Sequence, residues 1–212
     1  MSFSVVEIFY TLQGEGFHAG RAAVFCRFSG CNLWTGREQD RESSACRFCD
    51  TDFVNIAESG GKFPDASELV SQIMETFSDY KHARYVPYVV FTGGEPALQL
   101  TTELIGMLKE RGAEVGVETN GTLPLPAGLD WISVSPKAGT DLAVKSGNEL
   151  KLVWPQENVF LADFQDLDFD HFYLQPKDGP DRSAATISAV ETCRKNPVWK
   201  LSLQTHKYIG IP

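Results

Sequence analysis

Three of the five cysteines stand close together. Cys31, Cys46 and Cys49 lie in the stretch CNLWTGREQDRESSACRFCDT, with fourteen residues between the first two and two between the last. Thiolates so grouped are metal ligands by type, but the count is unusual. A structural zinc site closes with four ligands and an ordinary 4Fe–4S cluster takes four cysteines, whereas this stretch holds three and no histidine. A three-cysteine site leaves one metal position open, and an open position is where chemistry happens. A zinc loop completed by a distant ligand and three unrelated thiols are the competing readings of the same spacing.

The segments around this stretch must hold it in place. Residues 22–28 (AAVFCRF) alternate and predict a first strand running straight into Gly30 and the cysteine loop. Residues 32–45 are polar and read as an ordered insertion or a flap. Asp65-Ala66-Ser67-Glu68 is a capping box opening a helix whose apolar stripe is Leu69, Val70, Ile73, Met74 and Phe77. A buried strand over 88–92 ends at Gly93-Gly94-Glu95-Pro96, and a helix through Leu104, Ile105 and Leu108 stops at Gly112. A strand over 114–118 ends in Thr119-Asn120-Gly121, and one over 131–135 runs into Pro136-Lys137. Strands over 150–154 and 172–175 follow, the second running into Pro176-Lys177-Asp178. A helix over 184–194 and a strand over 199–204 complete the pattern.

Strand–helix alternation of this kind means a mainly parallel sheet covered by helices. In such α/β sheets, and in (β/α) barrels, ligands sit at the C-terminal ends of the strands. That edge collects the cysteine loop, GGEP, ETNG, SPK and QPKD. Six or seven strands are too few for a closed eight-stranded barrel, so an open partial barrel is expected. No repeat or linker divides the chain, which reads as one domain, 1–212, with an insertion at about 32–45.

At 212 residues the chain is long enough for a sizeable α/β core. Its formal net charge of −9 speaks against a broad nucleic-acid footprint, which needs a basic surface, and favours a small substrate. No signal peptide or membrane-spanning run is visible, and clustered free cysteines suit a reducing cytoplasm.

With three cysteines after the first strand, GGEP after the next and ETNG after the third, the chain resembles the radical S-adenosylmethionine enzymes. EIFYTLQGEG near the start and QTHKYIGIP at the end narrow the resemblance to the 7-carboxy-7-deazaguanine synthase family, over nearly the whole length. The departure is the first cysteine gap, fourteen residues where the superfamily usually has three; some members of the synthase family carry such an insertion. The resemblance implies that Cys31, Cys46 and Cys49 hold three irons of a 4Fe–4S cluster and that S-adenosyl-L-methionine chelates the fourth. A 5′-deoxyadenosyl radical then abstracts hydrogen from 6-carboxy-5,6,7,8-tetrahydropterin, the ring contracts, and ammonia leaves. It further implies Mg²⁺ at Thr51, an external electron donor such as a flavodoxin, and a homodimer.

Family positions carry over residue by residue. Phe48, Cys49 and Asp50 match positions around the adenine, and Gly93, Gly94 and Glu95 match those around the methionine amino group. Glu118 matches a ribose or amino contact. Ser135, Pro136, Lys137, Gln175, Pro176, Lys177 and Asp178 match further cofactor contacts. Leu12, Gln13, Gly14, Glu15, Arg27, Thr92, His206 and Pro212 form the substrate set. Each has a structural alternative: turns for the glycines, an N-cap for Thr51, a buried ion pair for Arg27, a hydrogen bonder for His206. Neighbouring strand residues point to opposite faces, so Arg27 in the site puts Cys26 in the helix-side core; Cys193 also reads as core. Eight residues follow Gln204, a reach of about 28 Å. That is enough to fold back over the mouth, and because the resemblance points to Pro212 as a substrate contact, its α-carboxylate is expected to meet the pterin edge. A radical activase acting on a protein and a zinc-stabilised binding module are the rival functions.

Overall fold

The computed structural model describes residues 1–77 and 84–212. Nine strands form one open sheet in the order β3-β1-β2-β4-β5-β6-β7-β8-β9. They are β1 (Phe3–Leu12), β2 (Ala22–Phe28), β3 (Gly61–Phe63), β4 (Tyr88–Gly93), β5 (Glu114–Thr119), β6 (Trp131–Val134), β7 (Ser146–Trp154), β8 (Asp168–Pro176) and β9 (Trp199–Leu201). From β2 through β9 the seven neighbours run parallel. β1 runs antiparallel to both β2 and β3 at one edge. The expected open, mainly parallel sheet is thus present, extended by two strands, β1 and β3, that the sequence pattern does not predict.

Helices α1 (Ala66–Thr76) and α2 (Thr102–Glu110) cover one half of the sheet's outer face and α3 (Arg182–Lys195) the other. Asp65 caps α1 by accepting from the Glu68 amide at 3.0 Å, and Leu69, Val70 and Ile73 are fully buried against the strands. Each such side chain contributes roughly 1.5–3 kcal/mol by leaving water. Thr101 caps α2 from its side-chain oxygen in the same way. Among the described residues no α-helix joins β5 to β6, β6 to β7 or β7 to β8. Alternation is therefore less regular than the sequence pattern suggests.

The last strand is shorter than the expected 199–204. Pairing with β8 ends at Ser202, whose amide bonds the Leu174 carbonyl and whose Oγ accepts from the Gly16 amide. The chain then enters a short helix, α4 (Thr205–Ile209). No described helix is long and apolar enough to cross a membrane.

Candidate active site

Strand parity builds the site. On β2, β4, β5 and β7, residues Val24, Cys26, Val89, Phe91, Val115, Val117, Leu150 and Leu152 point to the helix layer and are buried there. The intervening residues point inward. At the bottom of the concave face these are apolar, Phe25, Tyr88 and Val90. Toward the C-terminal edge they become polar: Arg27, Thr92, Glu118, Ser133, Lys151 and Gln175 line a cavity of about 400 Å³. Cys26 is fully buried in the helix-side core, as the parity argument requires of a neighbour of Arg27, and Cys193 packs on the core beneath α3.

The three cysteines meet at this cavity. Cys31, Cys46 and Cys49 all line it, and all are free thiols. A hydrogen bond from the Cys46 thiol, working against burial, pulls Cys49 down to about 6, and the same bond with burial pushes Cys46 up. Among the described residues no three His, Cys, Asp or Glu side chains converge on one point as the ligands of a single metal ion would. A 4Fe–4S cluster has no such need, because each thiolate binds a different iron. Three unpaired thiols at the rim of one polar cavity therefore fit a cluster.

The insertion is folded, not a loose flap. Trp34 is buried edge-on against Phe53, 5.4 Å between centroids, with Val6 beside them. The Arg41 guanidinium lies 4.1 Å over the Trp34 ring. Its Nη1 donates to the carbonyls of Arg47 and Cys49 at 3.1 and 3.0 Å. The long first gap thus supplies a cation that ties down the Cys46-X-X-Cys49 turn. Asn32 ties the start of the loop to the ETNG segment, accepting from Asn120 at 3.0 Å and donating to Thr122 at 2.8 Å.

The GGEP turn is locked to the cysteine loop. Gly94 N donates to Phe28 O and Glu95 N to Gly30 O. Gly93 has φ +134, and a Cβ on Gly94 would stand 2.0 Å from the Gly30 carbonyl oxygen and 3.0 Å from the Cys31 Cβ. Only glycine permits that approach. Glu95 is fully buried and accepts from Ala97 N, Thr119 Oγ1 and Asn120 N at 2.7–2.9 Å. Its carboxylate is spent on holding GGEP against ETNG. Burial raises its pKa even against those three donors.

On the far side of the cavity a buried ion pair joins four segments. Glu15 pairs with Lys151 and also accepts from Gln175 Nε2 and Gln204 Nε2, both at 3.0 Å. Burial disfavours both charges. Lys151 nonetheless holds Glu15 below its usual value, and Glu15, Glu118 and Glu149 hold Lys151 above its own. Glu118 accepts from Gln13 Nε2 at 3.0 Å and Thr92 Oγ1 at 3.2 Å. Arg27 Nε donates to Glu7 at 2.7 Å. The C-terminal segment closes the rim: Thr205 bonds the Gly14 carbonyl, Lys207 bridges Asp50 and Asp178 at 2.5 and 2.6 Å, and an oxygen of the Pro212 α-carboxylate accepts from Thr11 at 2.8 Å.

All eight residues of the expected substrate set line the cavity, as do Thr51, Phe48, Asp50, Gly93, Gly94, Ser135, Lys137, Pro176 and Asp178. Glu95, Pro136 and Lys177 do not. Glu118, expected among cofactor contacts, stands between Gln13 and Thr92 of the substrate set. Sequence reasoning missed Lys151, Gln204, Lys207, Asn120 and Glu7. For Lys151 a signal existed: charges at Glu149 and Lys151 alternate with Leu150 and Leu152 in a strand that parallel neighbours bury on both sides.

A family model described as the radical SAM superfamily matches residues 43–196. The chain is 56% identical over 216 residues to the 7-carboxy-7-deazaguanine synthase of Nitratidesulfovibrio vulgaris, covering 100% of both chains. It is 57% identical over 213 residues to the enzyme of that name from Bordetella pertussis, again covering 100% of both. Its fold is similar to the crystal structure of QueE from Escherichia coli, with a TM-score of 0.71 and 28% identity over 97% of this chain and 95% of that one.

Proposed function

We propose that this chain, which belongs to the radical SAM superfamily and within it to the 7-carboxy-7-deazaguanine synthases, makes 7-carboxy-7-deazaguanine from 6-carboxy-5,6,7,8-tetrahydropterin. The ring contracts and ammonia is lost, a step of 7-deazapurine and queuosine biosynthesis. The observation that carries this reading is the single cavity into which three free cysteines, the GGEP turn and the Gln13–Glu118–Thr92 group all open. Full-length similarity to named synthases sets aside the activase and the zinc module.

Cys31, Cys46 and Cys49 would hold the 4Fe–4S cluster. When bound, the cluster and S-adenosyl-L-methionine supply the radical that takes hydrogen from the substrate; the protein's part is placement and exclusion of water. The Gly93-Gly94 turn would take the methionine end, and Phe48, Asp50, Ser135, Lys137, Gln175 and Asp178 line the same cavity. Arg27 receives the substrate carboxylate, and Thr51 offers a hydroxyl for Mg²⁺, a hard cation that prefers oxygen. Glu118, positioned by Gln13 and Thr92, faces the pterin, with His206 and Pro212 at the rim. We read 1–212 as one radical SAM domain acting as a cytoplasmic homodimer with an external electron donor such as a flavodoxin.

Anaerobically reconstituted protein tests the reading. Expected are iron and sulfide near four of each per chain, and reductant-dependent conversion of the pterin acid to product. Stoichiometric zinc without iron, or a loaded enzyme that leaves the pterin intact, refutes it.

A further inference from the structure

β1 carries one residue more than the strand opposite. Val5 pairs with Phe28 and Glu7 with Arg27, so Val6 is extra and the strand bulges there. In an unbroken strand Val5 and Glu7 would share a face. Beyond the bulge they part: Val5 lies in the helix-side core and Glu7 lines the cavity. Val6 fills the space beside Trp34 and Phe53 under the cysteine loop. Bulges beside active sites re-aim side chains, and this one sets Glu7 directly across from Arg27.

Glu7 Oε1 accepts from Arg27 Nε at 2.7 Å. Among the described residues it is the only hydrogen-bond partner of that side chain. A guanidinium is a rigid planar fork. Pinning Nε fixes the plane and leaves the two terminal nitrogens as a matched pair of donors, the geometry that a carboxylate accepts. The two side chains are 19% and 32% exposed, so their mutual attraction is screened and the geometry counts for more.

We propose that Glu7 is a positioning residue that makes the site selective for a carboxylate on the pterin, by holding Arg27 through Nε so that its terminal nitrogens meet the substrate as a fork. The proposal rests on the reading of Arg27 as the carboxylate residue. Glu7 is itself an anion beside an anionic substrate group, so its charge opposes binding and its benefit is geometric. A glutamine, which keeps the acceptor and removes the charge, serves in its place.

The test compares the reconstituted enzyme with Glu7→Ala, Glu7→Gln and Arg27→Ala. It measures kcat and KM for the 6-carboxy pterin and its 6-carboxamide analogue, and Kd for the acid by equilibrium dialysis. Glu7→Ala is expected to raise KM and Kd for the acid about tenfold or more, with kcat little changed and the acid-over-amide preference falling by a similar factor. Glu7→Gln is expected to stay within about threefold of wild type, as rescue of the hydrogen bond requires. A Glu7→Ala enzyme that keeps the wild-type acid-over-amide preference overturns the proposal. So does a Glu7→Gln enzyme as impaired as Glu7→Ala, since that would assign the effect to charge. If Arg27→Ala leaves the KM for the acid unchanged, the reading of Arg27 fails first and the proposal with it. Should Glu7→Ala not accumulate as folded, cluster-bearing protein, Glu7→Met keeps the bulk, lacks the acceptor and makes the same discrimination.

Discussion

Replacing Lys151 by methionine removes one half of the ion pair that ties the N-terminal segment, β7, β8 and the C-terminal segment together. Glu15 and Lys151 side chains are 14% and 6% exposed. Breaking such a pair from one side leaves a buried charge without its partner, a loss of about 3–5 kcal/mol. Gln175 and Gln204 still donate to Glu15, so the lower end, about 3 kcal/mol, is expected. In a chain of this size that corresponds to roughly 6–12 °C in Tm. The double variant Glu15→Gln/Lys151→Met buries no charge and is expected to recover most of the loss.

The pH dependence has a definite sign. Glu15 is held below its usual 4.5, so its contribution is present above that value and is lost as pH falls through the folded-state pKa. Lys151 is held above its usual 10.5, so its contribution is complete below that value and is lost as pH rises through the higher folded-state pKa. In Lys151→Met, protonation of Glu15 relieves the stranded charge. The gap between wild type and Lys151→Met is therefore widest near neutral pH and narrows in acid. Anaerobic thermal unfolding followed by circular dichroism measures all three proteins. A single variant melting within about 2 °C of wild type, or a double variant no better than the single, refutes the reasoning.

Ala in place of Cys31, Cys46 or Cys49 is expected to abolish the visible absorption of the cluster and all reductive cleavage of S-adenosyl-L-methionine, whereas Cys26→Ala and Cys193→Ala keep both; iron analysis and absorption spectra decide. Gly94→Ala drives a methyl into the Gly30 carbonyl, and iron retention after gel filtration is expected to drop several-fold or more; Gly106→Ala in α2 meets nothing within 4 Å and is expected to keep its iron and gain up to about 1 kcal/mol in stability. Turnover of metal-depleted enzyme is expected to rise on adding Mg²⁺, and Thr51→Ala to lose most of that response; equal activation of both proteins removes Thr51 from the ion's shell.

The C-terminal edge of the sheet was legible in the sequence because glycine and proline punctuate it. GGEP, ETNG and SPK each follow an apolar strand, and a parallel sheet leaves such motifs nowhere else to gather. The capping box at Asp65 and the stripe from Leu69 to Phe77 were legible because a helix states its period over several turns. The interior polar column was harder to read. Lys151 and Gln175 lie in apolar strands among ordinary-looking charges, and only the register of β7 against β8, where Lys151 faces Tyr173 and Val153 faces Gln175, brings them to one cavity. Glu15 and Gln204 are 189 residues apart, and no local pattern relates them.

β1 was missed for a specific physical reason. Its residues 3–12 read FSVVEIFYTL, and the adjacent Val5 and Val6 break the two-residue period by which a half-buried strand is recognised. The same extra residue is what turns Glu7 toward Arg27 and sends Val6 under the cysteine loop. A one-residue slip in a strand moves every later side chain to the other face. Without the bulge Glu7, Phe9 and Thr11 would face the helix layer, and Ile8 and Tyr10 the cavity. The irregularity that hid the strand is therefore the feature that supplies one wall of the site. Departures from the local pattern tend to collect where function demands them. Deleting Val6 would restore the alternation with Glu7 still opposite Arg27, and would cost the cysteine loop the side chain that packs beside Trp34 and Phe53.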